Sequence, residues 1–237
     1  MMLTPQIDVA VESAFKYIKN HPKHHLHPGL RKWIYTSFTE ALGAKAGQSL
    51  HGWLALLAAR RVLPIFEAFE VNSPLPQLYL EPGYPHEHMP KALLALAESI
   101  LRGEVDGNTP ELTSFLGKLH YVVGNDWGLR EDGVPSNAHY AGVAAFSALM
   151  EARGMDLLNQ LNHLTMFQSQ DNWNSIAGNT MTDDLFVSSA VADTAAEAVM
   201  AESKDEHGKL DSDRLYAFWS WWLLGAIPEA YNTAIEK

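Results

Sequence analysis

Hydrophobic residues recur along most of this chain every three or four positions, the spacing that places them on one face of an α-helix. In the first such segment, Thr4 and Pro5 have the pattern of an N-cap followed by proline in the first helical turn. Pro22 ends this segment, whose apolar face consists of Ile7, Ala10, Val11, Ala14, Phe15 and Ile18. No segment alternates apolar and polar residues in the way of a half-buried strand. The pattern therefore predicts an all-α protein with no sheet.

Further helical segments follow along the chain. A second helix is predicted from Pro28, with an apolar stripe made of Leu30, Trp33, Ile34, Phe38, Ala41 and Leu42. A third, from about Gln48, is apolar over a wide arc, so we place it near the centre of the fold with a kink at Pro64. Later helices are predicted to begin near Pro90, Pro110, Ser136, Asp156 and Asp183, which gives about nine or ten helices.

The last helix is rich in aromatic residues. Asp211 is its predicted N-cap, and Pro228 is expected to break it before a short tail. Its apolar face consists of Leu215, Phe218, Trp219, Trp222, Leu223 and Ala226. Burial of a Trp or Phe side chain contributes about 2–3 kcal/mol before entropy. We therefore expect this helix to be essential to the core and to pack against the third helix and the helix after Pro90.

Residues 71–90 contain five prolines and are predicted to form a loop inside one globular domain that spans residues 1–237. The chain contains no cysteine, which excludes disulfides and thiolate metal sites. No apolar run has the length of a membrane-spanning helix, and the first residues lack the pattern of a secretory signal. These features favour a soluble cytoplasmic protein.

The net charge of −11 is unevenly distributed. Residues 1–61 carry eight Lys or Arg against three Asp or Glu, whereas residues 183–213 carry nine acidic residues against two basic ones. A face this acidic repels nucleic acid and anionic membranes and attracts a basic protein. A solvated, solubilising helix face explains the same composition.

Four acidic residues in this region are spaced four residues apart in two pairs. They are Asp193 and Glu197, then Glu202 and Glu206. Like charges at this spacing lie on the same helix face and weaken a helix by a few tenths of a kcal/mol per pair. We expect no local cation to neutralise this face, so these four residues are the predicted partner-binding residues.

A metal-dependent helical enzyme is an alternative. His86 and His88 could share a metal ion, with a third ligand such as His139 or His163. A second histidine-rich segment is interrupted by prolines and is predicted to be a polar linker; it contains His21, His24, His25 and His27. No cofactor is expected, and the exposed-loop interpretation of His86 and His88 is preferred.

Motifs of several enzyme classes are missing from the sequence. It contains no His-Asp dipeptide, no Glu-x-x-His and no HExxH. Ser49 lies in GQSLH, which departs from the nucleophile elbow G-x-S-x-G at its last position. One residue of the pair Arg60-Arg61 is expected to be buried and to form a structural salt bridge with a carboxylate such as Glu67 or Glu98; an anion-binding site is the weaker alternative. We assign no catalytic residue and lean against an enzyme.

Three segments in combination carry a family resemblance. AARRVLPIFEAF is followed by the loop with Pro85 and Pro90, then by KALLALAESILRGEV, and the aromatic helix FWSWWLLGAIPEAY comes last, after a helix containing Ala138-His139. This order resembles the fifth immunity-protein family of bacterial polymorphic toxin systems, over about a third of the chain. The polar stretch 168–183 and the basic N-terminal helices depart from the pattern.

The resemblance implies an all-helical immunity protein that binds and blocks a cognate toxin domain. It supplies no catalytic residues. The acidic region would attract a basic toxin, such as a nuclease, to its surface. A helical protein-interaction module unrelated to toxins is the remaining alternative.

Overall fold

A computed structural model describes residues 3–72, 89–116, 136–154, 187–202 and 211–236 of the chain. The described residues contain no strand, and 86% helix confirms the all-α prediction. Eight α-helices are seen, near the predicted nine or ten, and residues 110–116 are helical as well. The predicted helix that begins at Asp156 and most of the predicted proline-rich loop lie outside the described residues. The ends of that loop are helical at residues 71–72 and 89–90.

The helices follow one another in a simple order. They are α1 (Pro5–Asn20), α2 (Pro28–Leu42), α3 (Ala44–Asn72), α4 (Met89–Arg102), α5 (Ser136–Ala152), α6 (Val187–Glu202), α7 (Ser212–Trp221) and α8 (Ile227–Ile235), with a π-helical segment (Trp222–Ala226) joining α7 to α8. No helix in the described part of the chain is long and apolar enough to cross a membrane.

Helix α3 lies at the centre, as its wide apolar arc predicts. It packs against α2, α4, α5, α6 and α8. Helices α5 and α6 pack closely against each other and against α3 because their buried faces consist largely of alanine. Small side chains let helix backbones approach. The C-terminal helical run packs against α1, α3 and α6, whereas α4 packs against α3 and α5. The predicted contact with α3 is therefore observed, but α4 is not a principal neighbour.

Several helix ends match their local sequence signals, although Thr4, which occupies the N-cap position of α1 as predicted, makes no side-chain capping hydrogen bond. Asp211 caps α7, its side chain accepting a hydrogen bond from the backbone N–H of Asp213 at 3.1 Å. Gly43 ends α2 with a φ of 79°, in the region that glycine adopts without strain. The N-cap of α2 is His27, whose Nδ1 accepts from the N–H of Gly29 at 3.0 Å. Histidine is an uncommon N-cap residue, so residue preferences in the sequence do not predict a cap at this position.

The C-terminal helix does not break at Pro228, contrary to the prediction. The backbone widens into the π-helical segment, where the N–H of Ile227 bonds to the carbonyl of Trp222, and then continues as α8. Proline has no N–H to donate and its ring crowds the carbonyl four residues earlier. The wider π turn accommodates this proline near the start of α8 without interrupting the helical path.

The buried face of α2 is also rotated from its predicted position. Trp33, predicted to face the core, is 42% exposed, whereas Arg31 is only 1% exposed and Tyr35 is fully buried. Tyr35 lies 6.0 Å from Trp222 and 4.9 Å from His51, measured between ring centroids. The aromatic contacts of Tyr35 and the neutralised charge of Arg31 outweigh the burial of one tryptophan.

Trp219 and Trp222 form the centre of the aromatic core. Both are fully buried, and their rings meet edge to face with centroids 5.6 Å apart. Their indole N–H groups have no hydrogen-bond partner among the described residues, so burial and ring contacts are what these side chains contribute.

We expect Trp222→Ala to destabilise the fold by about 3–5 kcal/mol, because it removes a fully buried aromatic side chain and leaves a cavity. Trp33→Ala is the matched control and should change stability by less than about 1 kcal/mol, because that side chain is partly solvated. Urea unfolding followed by circular dichroism measures both. Equal effects of the two substitutions would contradict this account of the core.

His51 is a buried titratable group on α3. It is 3% exposed, and its Nε2 donates to the carbonyl of Tyr35 at 3.2 Å. Burial lowers the pKa of the imidazole to about 4, and the hydrogen bond opposes this shift only in part. The folded protein therefore holds His51 neutral over a pH range in which the unfolded chain protonates it.

The folded-state pKa of His51 lies below its unfolded value of 6.5, so its contribution to stability is present above pH 6.5 and is lost as pH falls towards 4. The loss amounts to about 3 kcal/mol. His51→Gln keeps a donor for the Tyr35 carbonyl but does not titrate. Unfolding free energies of this variant should fall less steeply than those of the wild type between pH 6.5 and pH 4. Identical slopes would show that His51 is not held neutral.

Candidate functional site

The acidic helix α6 carries three of the four predicted partner-binding residues. Asp193 and Glu197 are half-buried, and Glu202 is exposed at the end of the helix. Glu206 lies outside the described residues. Helix α6 forms because alanines fill its inner face, and this leaves its acidic positions along the boundary between core and solvent.

Asp193 is held by a buried arginine. The Arg31 guanidinium on α2 donates through Nη1 to Oδ1 of Asp193 at 2.7 Å and to the carbonyl of Leu26 at 3.0 Å. The Arg31 side chain is 1% exposed and that of Asp193 is 26% exposed. A charge this deeply buried requires a partner of opposite charge. Asp193 is therefore a structural counter-ion as well as a candidate for partner binding.

Two aromatic rings complete this arrangement. The Arg31 guanidinium lies over the ring of Trp219, 5.6 Å from its centroid, and the ring of His25 lies 6.0 Å from the same indole. The Nδ1 of His25 donates to the carbonyl of Leu26 at 3.2 Å, and its Nε2 lies 3.7 Å from Oδ1 of Asp193. We call His25, Arg31, Asp193 and Trp219 the Arg31 cluster. It joins the α1–α2 linker to α2, α6 and α7.

The electrostatics of His25 reflect its position in the cluster. Burial lowers the pKa of its imidazole, the Asp193 carboxylate acts in the opposite direction, and the Arg31 charge lowers the pKa further. Burial is the largest of these effects, so the pKa of His25 is lowered although the Asp193 carboxylate lies 3.7 Å away. The cluster is thus a compact, hydrogen-bonded ion pair.

The other acidic residues of α6 also have neighbours. Burial and, to a smaller extent, the charge of Glu197 raise the pKa of Tyr140 on α5. Glu202 accepts a hydrogen bond from Arg214 at 3.3 Å, and both side chains are about half exposed. The expectation that no cation neutralises this face is therefore wrong at Asp193 and Glu202. Their cations come from other elements, which a helical spacing rule does not detect.

The expected salt bridge of the arginine pair is confirmed, but neither Arg60 nor Arg61 is buried. Arg60 forms an ion pair with Glu98 of α4, and Arg102 donates to the same carboxylate. These hydrogen bonds lower the pKa of Glu98. Arg61 instead lies over the ring of Trp221, 5.2 Å from its centroid. Both arginines therefore serve the packing of α3 against its neighbours.

The proposed metal ligands are not brought together in the described part of the chain. His86, His88 and His163 lie outside it, and His139 is on α5. Among the described residues, no group of three histidine or acidic side chains could hold a metal ion. In the α1–α2 linker, the ring of His24 donates to the carbonyl of Ile18 at 2.7 Å.

We expect Asp193→Asn to destabilise the protein by about 3 kcal/mol, because it leaves the buried charge of Arg31 without a carboxylate. The double variant Arg31→Met with Asp193→Asn should recover at least half of that loss, because the buried charge is then gone. Urea unfolding of wild type, both single variants and the double variant gives the coupling energy. A loss below about 0.5 kcal/mol in Asp193→Asn would contradict the role of the pair.

Comparison with known proteins identifies the family to which this chain is related. A family model described as immunity protein Imm5 matches residues 11–229, a range that includes the polar stretch 168–183 and most of the basic N-terminal helices. No curated protein matches the chain. The family implies a toxin-neutralising immunity role and a protein partner. Because the match covers more than half of the chain, the protein belongs to the Imm5 family of immunity proteins.

Proposed function

We propose that this protein binds a cognate bacterial toxin domain in the cytoplasm and neutralises it without catalysing a reaction. Membership of the Imm5 family is the observation that carries this proposal. Neutralisation by binding needs a stable surface, and the helices around α3 provide one with a continuous core beneath it.

We further propose that the toxin is basic, such as a nuclease, and that α6 and the residues after it attract it. Nine acidic residues against two basic ones in residues 183–213 support this assignment. Complementary charge accelerates association and disfavours partners of the wrong sign.

The four acidic residues contribute to this surface in different ways. Asp193 retains 26% exposure but also neutralises Arg31, so a partner could reach it only in addition to that ion pair. The pair between Glu202 and Arg214 is about half exposed and contributes little to stability, so Glu202 can exchange Arg214 for a cation of the partner at low cost. We assign Glu202 and Glu206 the larger share of steering, with Asp193 and Glu197 at the edge of the surface.

Co-expression tests the function itself. The toxin domain encoded by the gene next to this one should arrest growth when it is expressed alone, and this protein should restore growth and form a stoichiometric complex on size-exclusion chromatography. The control is Trp222→Ala, which should lose protection together with its fold. If the folded wild-type protein binds the toxin domain without restoring growth, or does not bind it, the proposal is wrong.

Charge reversal tests the steering. Glu202→Lys with Glu206→Lys should lower the association rate constant about threefold to tenfold at low salt and should weaken its dependence on ionic strength. Glu40→Lys with Glu236→Lys is the matched control, because it changes the net charge equally at two other exposed acidic residues. Stopped-flow fluorescence measures both. Equal rates for the two variants would contradict steering by this surface while leaving the function untouched.

A further inference from the structure

An open groove lies at the C-terminal end of α1, on the basic part of the chain. Its volume is about 410 Å³, and it is lined by Ser13, Lys16, Tyr17, Asn20, His21 and Pro22. We call it the α1 groove. Residues 1–61, which include it, carry a surplus of positive charge, whereas the protein as a whole carries −11.

The cations around the groove are unpaired within the described structure. Lys16, Lys19 and Lys23 are exposed, and no carboxylate of the described residues lies within 4.0 Å of their ammonium groups. Elsewhere in the described residues, Arg31, Arg60, Arg102 and Arg214 all form ion pairs. Lys45 of α3 and Lys91 of α4 are exposed and carry no ion pair either, but they do not line the groove. What distinguishes the α1 groove is that its unpaired positive charge lies beside a cavity.

The groove also has an aromatic wall and a defined donor. The ring of Tyr17 stacks on that of His21 with centroids 5.2 Å apart, and the edge of His27 lies 6.2 Å away. The N–H of Lys23 donates to Nδ1 of His21 at 3.3 Å, so the neutral imidazole carries its proton on Nε2. Two carbonyls of the last helical turn are already occupied, by the Asn20 side chain and by the His21 N–H. The groove therefore combines the Lys16 ammonium, the Nε2 donor of His21 and an aromatic face, with Lys19 and Lys23 close by in the sequence.

We propose that the α1 groove binds an acidic segment of the protein partner, with carboxylates at the lysines and an apolar side chain against Tyr17. This inference deepens the proposed function and rests on it for the identity of the partner. Charge complementarity selects the occupant: a carboxylate needs donors and cations, and the groove presents both. A protein segment is favoured over nucleic acid because the net charge of −11 repels a long polyanion. A short acidic segment is affected mainly by the positive charges close to the groove, because charges farther away are screened by salt.

Two double variants with the same net charge show whether binding depends on the lysines at the groove. Lys16→Gln with Lys23→Gln removes the lysine that lines the groove and the one that follows its last lining residue, Pro22, and Lys45→Gln with Lys91→Gln removes two exposed lysines at other helices. Each variant is titrated with hexaglutamate at low ionic strength and followed by ¹⁵N amide chemical shifts. In the wild type and the control, the shifts should be confined to residues 13–27. The groove variant should bind about tenfold more weakly, as expected for the loss of two exposed ion pairs.

Further probes distinguish an acidic protein segment from other ligands that could occupy the groove. Inorganic phosphate that produces the same shifts at similar concentration would identify a general anion patch and overturn the proposal. A single-stranded oligonucleotide that binds the groove more tightly than hexaglutamate would replace the protein segment with nucleic acid. Shifts that are absent, or spread over the whole protein, would also overturn the inference.

The toxin assay keeps this inference distinct from the proposed function. If the groove variant binds the cognate toxin domain and protects as well as the lysine control does, the toxin does not use the groove and the inference fails while the function stands. If the wild type does not protect, the proposed function fails, and the hexaglutamate shifts still decide whether the groove holds acidic segments. Circular dichroism of both variants confirms that the comparison is between folded proteins.

Discussion

The guanidinium of Arg31 lies in the interior of the molecule, and a buried cation must be matched by an anion close enough to hold it. The carboxylate that does so belongs to Asp193, 162 residues later in the chain. This requirement fixes the position of α6 along α2. The indole of Trp219, which lies beneath the same guanidinium, fixes α7 as well. The Arg31 cluster therefore joins three helices at one point, beside the apolar core that contains Trp219 and Trp222.

Local chemistry in the sequence predicts most of the fold. Prolines at helix starts, glycines at helix ends and the cap at Asp211 mark boundaries that the structure reproduces. Sequence reasoning fails where tertiary contacts override the local rule. Trp33 looks more apolar than Arg31, yet Arg31 is buried because its charge is neutralised elsewhere. Pro228 looks like a helix breaker, yet the backbone continues through a π turn because α3 and α1 pack along that helix and favour its continuation.

The candidate site is less predictable, for a physical reason. The spacing of Asp193 and Glu197 correctly indicates that they lie on one helix, but spacing carries no information about cations from other elements. The ion pairs of Arg31 and Arg214 appear only when α2 and α7 are placed against α6. A signal for Arg31 does exist in the sequence, because an arginine within an apolar helical stripe either lies at its edge or needs a buried partner. That signal indicates that Arg31 needs a partner of opposite charge, but it does not identify the partner.

The α1–α2 linker lies between the two surfaces proposed for partner binding. His21 lines the α1 groove, and His25, four residues later, lies against Asp193 of the acidic helix. Opposite charges at the ends of so short a linker would attract each other if nothing held them apart. In the structure Asp193 pairs with Arg31, and Lys16, Lys19 and Lys23 have no carboxylate within 4.0 Å among the described residues. A partner with both signs of charge would then meet two adjacent surfaces that differ in sign, and only one orientation of that partner matches both.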